Sequence, residues 1–121
     1  MKLGLKKISK SLIGLASATA ITLSASHTLA ADGNYILATA STGGTYYPVG
    51  VAIATLSKIK LEPKHGISLS AISSAGSGEN VKLLRENQAQ FAILQGLYGA
   101  WAWNGEGRVA NSGKQTGLRS I

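Results

Sequence analysis

Cysteine is absent from the 121 residues, histidine occurs twice, and five acids stand against twelve bases. Without cysteine there is no disulfide framework, a condition that many exported bacterial proteins share. His27 lies in the N-terminal stretch, and His65 stands alone between Pro63 and Gly66 as a solvated loop residue, so no Cys/His cluster has metal-ligand spacing. No serine has a histidine and an acid disposed as a triad. Lacking a nucleophile–base pair and a metal set, the chain reads as a protein that binds rather than converts. It implies neither enzyme activity nor a cofactor.

The shortage of acids leaves a formal charge of +7, which raises the question of nucleic acid. Placement answers it. Lys2, Lys6, Lys7 and Lys10 crowd the N-terminus, and residues 11–25 carry no charge, with Leu12, Ile13, Leu15, Ile21 and Leu23 among small residues. Small residues close the segment around Ala30 and Ala31. Basic head, short apolar middle and small-residue end describe a secretory signal peptide over residues 1–30, cut after Ala30. The apolar run is short and rich in Ala, Ser and Thr for a membrane span, although an N-terminal anchor or a buried helix is the alternative reading. Export to the periplasm is the expectation. Removing four lysines leaves eight bases against five acids, +3, scattered from Lys58 to Arg119. With no basic stripe interleaved with aromatics, nucleic-acid binding loses its support.

Residues 31–121 have room for one small domain. "YILATA" (35–40) is short and apolar and predicts a strand, and "ISLSAIS" (67–73) alternates as a second. "FAILQ" (91–95) predicts a third strand, apolar enough for burial on both faces. Between them, "VGVAIATLSKI" (49–59) sets Val49, Ile53, Leu56 and Ile59 at helical spacing behind Pro48. "EPKHG" (62–66) reads as a break, and "ENVKLLREN" (79–87) as a short helix with Val81, Leu83 and Leu84 inward. "LYGAWAWNG" (97–105) predicts a turn or short helix, and "QTGLRSI" the start of another strand. The alternation specifies an α/β fold with a parallel sheet and right-handed crossovers, the first strand central.

Ligands of such sheets sit beyond the carboxyl ends of the strands. "STGGTYYP", "SAGSGEN" and "QGLYGAW" occupy that edge. In the first, Gly43 and Gly44 permit a sharp turn and a close backbone approach. Thr45 can cap the following helix or donate a hydroxyl. Tyr46 and Tyr47 offer an apolar wall with a phenol donor. Free N–H groups at a helix start suit a carboxylate. The plainer reading is a strand-to-helix turn with two tyrosines packed on the core. The loop is no P-loop, lacking the lysine and the spacing, and "SAGSGEN" holds G-x-G without the dinucleotide fingerprint. Ser77 or Gly78 can cap the next helix, Asn80 can bind ligand or solvate that helix start, and Trp101 and Trp103 can wall a pocket or pack.

"ILATASTGGTYYPVGVAIATL", "SAISSAGSGENVKLLRENQAQFAILQ" and "LYGAWAWNGEG" resemble, in order and spacing, the N-terminal part of the TAXI-type solute receptors of tripartite ATP-independent periplasmic (TRAP) transporters. The resemblance spans residues 34–121. It implies part of one lobe of a two-lobed α/β clamshell that holds a small anionic solute, an amino acid such as glutamate or glutamine or another carboxylate. Such receptors pass the solute to membrane permease subunits. By position Gly43, Gly44, Thr45 and Tyr46 match the first binding loop, Ser77 and Asn80 the second, and Gln95 ends the third strand. Where family members commonly carry an acid after that glutamine, this chain has "GLYGAW".

A clamshell needs two lobes, and residues 31–121 amount to an incomplete N-terminal one. The expectation is thus a fragment of a receptor, with a periplasmic ligand sensor for a signalling partner, or a truncated chain without function, as alternatives. An exported enzyme is the third class, and it lacks catalytic groups.

Overall fold

The computed structural model describes residues 33–121; the expected signal peptide lies outside them. Three parallel strands form one sheet in the order β2-β1-β3, with β1 at Gly33–Ala38, β2 at Ile67–Ile72 and β3 at Phe91–Ala92. β1 is central, as the alternation predicts, and pairs along its whole length with β2, from Gly33↔Ile67 to Ala38↔Ile72. Its ladder with β3 has two registered pairs, Leu37↔Phe91 and Ala38↔Ala92. Gln90 extends that seam: its side-chain Oε1 accepts from Ile36 N at 3.0 Å, and its own N–H donates to Ile36 O at 3.2 Å. The third strand is therefore shorter than "FAILQ", and residues 91–94 are half-buried rather than covered on both faces.

Right-handed crossovers in a 2-1-3 order put the two connecting helices on opposite faces. The first, α1 (Tyr46–Lys60), packs on β2 and β1. Its inward residues are Gly50 and Ser57; Val49, Ile53, Leu56 and Ile59 are exposed, Leu56 and Ile59 by 59% and 60%. The expected apolar face is present but points away from the sheet. The reason is close approach: a Cβ on Gly50 would come within 2.3 Å of Thr39 Cγ2 and 3.6 Å of Leu37 Cδ2. A small residue there lets the helix backbone lie against β1.

"EPKH" forms one short helical turn, α2 (Glu62–His65), instead of a plain break. Pro63 fits because the first helical N–H groups need no intrahelical acceptor. Gly66, at φ 65°, ends the turn in the left-handed conformation that glycine adopts without penalty.

On the other face, α3 (Ser77–Arg85) and α4 (Gly96–Asn104) pack with a 3-10 segment at Gly107–Ser112. Val81, Ala102 and Val109 form a small core there, lined by Leu94, Tyr98, Trp101 and Leu118. Leu83 and Leu84 of α3 are half-buried. Tyr98 meets Trp101 edge-to-face with ring centroids 5.2 Å apart, whereas Trp103 is exposed. Trp101 thus packs in the core, the structural of its two readings. "QTGLRSI" forms no strand; Leu118 folds back onto the core instead. Among the described residues no helix is long and apolar enough to cross a membrane.

Candidate functional site

The carboxyl ends of the three strands open into three loops, and one hydrogen-bond network ties them together. Thr39, buried just past β1, donates its hydroxyl to Ile72 O at 2.7 Å and so holds the end of β2. Ser74 N donates to Ala40 O at 3.2 Å. Asn80, on α3 and fully buried, donates from Nδ2 to Thr39 O at 2.7 Å and to Ile93 O at 2.9 Å. Its Oδ1 lies 2.6 Å from Ser74 Oγ, which donates to it. Ser77 Oγ accepts from Gln95 N at 2.9 Å, joining the second loop to the third. No buried side-chain polar atom among the described residues lacks a partner, as a native interior requires.

Above this network lies an open recess of about 260 Å³ lined by Ala40, Tyr46, Ala75, Gly76, Ser77, Gly78, Gln95 and Tyr98. Each strand end contributes to it. α1 begins with Tyr46, α3 with Ser77 and α4 with Gly96, so three helix starts face one region. The first N–H groups of a helix have no intrahelical acceptor. Those of Ser77, Gly78 and Glu79 on α3, and of Gly96 and Leu97 on α4, make no hydrogen bond among the described residues. No lysine, arginine or carboxylate lines the recess. The nearest acid in sequence, Glu79, is exposed and accepts from Ala75 N, closing the turn before α3. The polar tips of Tyr46, Tyr98 and Gln95 make no hydrogen bond with the described protein. Neutral donors, aromatic edges and the positive ends of helix dipoles are what this surface presents, a combination that suits an anion held without a counter-charge.

Of the seven residues singled out in the sequence, Tyr46, Ser77 and Gln95 line the recess. Asn80 lies beneath it with all three polar positions engaged by protein. Gly43, Gly44 and Thr45 lead into α1 beside Tyr46, outside the lining. Thr45 is the N-cap of α1 by position but makes no side-chain cap. α3 likewise starts at Ser77, one residue after an N-cap at Gly76, so neither Ser77 nor Gly78 caps it.

Neither Gly43 nor Gly44 has a positive φ, so the turn they form uses none of glycine's left-handed freedom. The glycine that uses its freedom is Gly76, at φ 97° and ψ −161°, a region essentially closed to other residues. Ala40, Ala75, Gly76 and Tyr98 are lining residues that a sequence reading passes over. For Tyr98 a signal existed, since three residues past the Gln95 N-cap places it on the first turn of a helix. For Gly76 nothing in "SAGSGEN" separates it from Gly78.

Among the described residues no group of three His, Asp or Glu side chains gathers to hold a metal. Residues 37–121 match the model of the NMT1-like family. The chain belongs to that family, a periplasmic substrate-binding one, whose members bind a small solute and work with a transporter partner.

Proposed function

From that membership we propose that the protein is an extracytoplasmic receptor of the TAXI type, capturing a small anionic solute for a TRAP transporter. The solute is a carboxylate: an amino acid such as glutamate or glutamine, or a simple organic acid. Residues 1–30 export the chain to the periplasm, and it performs no chemistry there. Permease subunits in the membrane receive the solute. Residues 31–121 act as part of one lobe of a clamshell, supplying one wall of the site.

The observation that supports this reading best is the convergence of unpartnered donors at the carboxyl edge. The starts of α3 and α4 offer backbone N–H groups, while Tyr46, Tyr98 and Gln95 bring free polar tips to the same recess. Ser77 and Gln95 contact the carboxylate end, Tyr46 orients it, and Gly43, Gly44 and Thr45 shape the loop that carries Tyr46. Calorimetric titration of the full-length protein with L-glutamate, L-glutamine and glutarate is the test. Saturable binding is expected for at least one of them. A charge-assisted hydrogen bond is worth about 1.5–3 kcal/mol, so Tyr46→Phe weakens that binding by roughly one to two decades. A folded wild type that binds no carboxylate, or a Tyr46→Phe variant of undiminished affinity, rules the proposal out.

A further inference from the structure

The β1–β3 ladder stops at Ala38↔Ala92, and Ile93 N→Ala38 O at 2.9 Å is its last rung. One residue further, the two strands part. Ile93 O, on the β1 side of the third strand, and Thr39 O, which Ser74 Oγ also approaches at 3.1 Å, both accept from the single side-chain nitrogen of Asn80. The amide orientation follows from chemistry: two carbonyl oxygens at 2.7 and 2.9 Å demand a donor, which leaves Oδ1 for the Ser74 hydroxyl. Ser74 Oγ in turn accepts from Gly76 N at 3.1 Å, beside the glycine-only backbone that starts α3. One amide therefore spans the ends of β1 and β3 and the loop after β2.

We infer that Asn80 is a positioning residue of the solute site, setting the spacing of the three ligand loops through their backbones without touching the solute. The inference rests on the receptor reading above for its ligand but not for its geometry. Asn80 is fully buried, and the wall of the recess is made by its neighbours on the chain, Ser77 and Gly78. An apolar side chain would fill the same volume. It would, however, leave Ile93 O without its donor and take from Thr39 O the nearer of its two, Asn80 Nδ2 at 2.7 Å against Ser74 Oγ at 3.1 Å. The amide thus keeps the crevice both open and fixed.

The test compares Asn80→Asp, which turns an acceptor toward two carbonyl oxygens, with Ser74→Ala, which keeps the amide but removes the hydroxyl that links it to Gly76 N and Thr39 O. Both are studied in the full-length protein, at a temperature where circular dichroism shows each folded. L-Glutamate and glutarate serve as probes. Affinity is expected to fall about tenfold or more in Asn80→Asp and about threefold in Ser74→Ala, by the same factor for both probes. In ligand-free amide spectra the resonances of Gly76, Ser77, Gln95 and Gly96 should shift together, although Gln95 and Gly96 lie well away in sequence. An unchanged dissociation constant with a lowered unfolding midpoint would make Asn80 purely structural and overturn the inference. Unequal losses for the two probes would make it a direct contact and do the same. If Asn80→Asp fails to fold, Ser74→Ala decides alone. If wild type binds neither probe nor L-glutamine, the receptor reading fails, and the spectra still decide: shifts across all three loops uphold the clasp, and shifts confined to residues 79–81 refute it.

Discussion

Helices α1 and α3 flank the same sheet and bury different residues. α1 lays Gly50 and Ser57 inward and leaves Val49, Ile53, Leu56 and Ile59 on the surface. α3 buries Ser77, Asn80 and Val81, and its Lys82 and Arg85 face outward. The difference shows what an apolar stripe does and does not specify. Helical spacing of large residues establishes a face. What lies against the sheet depends also on how near the backbones must come and on which strand-end carbonyls need donors. On α1, nearness decides, and on α3, hydrogen bonding does.

The sharpest way to break this contrast is Gly50→Val. Its Cβ would sit 2.3 Å from Thr39 Cγ2, and turning that methyl aside would break the Thr39 hydroxyl's 2.7 Å bond to Ile72 O. Overpacking of this kind costs about 1–3 kcal/mol, and we expect the upper end. Urea unfolding checks it, and a midpoint equal to wild type would mean α1 does not rest on β1. On the opposite face, Val81→Ala removes two methyl groups from the fully buried centre of the core. At about 0.8 kcal/mol each, with a cavity term added, roughly 2 kcal/mol should be lost in the same assay. Gly76→Ala comes next, costing about 1–2 kcal/mol because the left-handed backbone must be kept although open space surrounds the position. A thermal melt that left the variant as stable as wild type would show the loop relaxing freely. The smallest effect belongs to the α1 stripe: Leu56→Ser, at a residue 59% exposed, should stay within about 0.5 kcal/mol of wild type. A larger loss would show that something covers that face in solution.

Much of the architecture is legible in the residues. The run at 67–73 becomes β2 to within one residue, that at 35–40 becomes β1 displaced two residues toward the N-terminus, and the parallel order with β1 central follows from the alternation. What escapes is decided by tertiary geometry. Whether Val49, Ile53, Leu56 and Ile59 point in or out depends on Gly50 meeting Thr39, two residues from different elements. Where β3 ends, the Asn80 amide rather than backbone meets Ile93 O and Thr39 O, a partner that lies thirteen residues or more away in the chain. The carboxyl-edge loops stand out as a candidate site because glycine, hydroxyl and aromatic residues gather in them. Which glycine takes the left-handed backbone is not legible, since any glycine in these loops can supply it.

The central claim is that the recess at the carboxyl edge is where this family member holds its solute. Amide-resolved titration of the full-length protein with glutarate tests it most directly. The N–H resonances of Ser77, Gly78 and Gly96 should move along one saturable curve, while those of Val51, Thr55 and Lys58, lining the groove between α1 and β2, stay fixed. Saturable shifts at Val51, Thr55 and Lys58 with Ser77, Gly78 and Gly96 unmoved would contradict it.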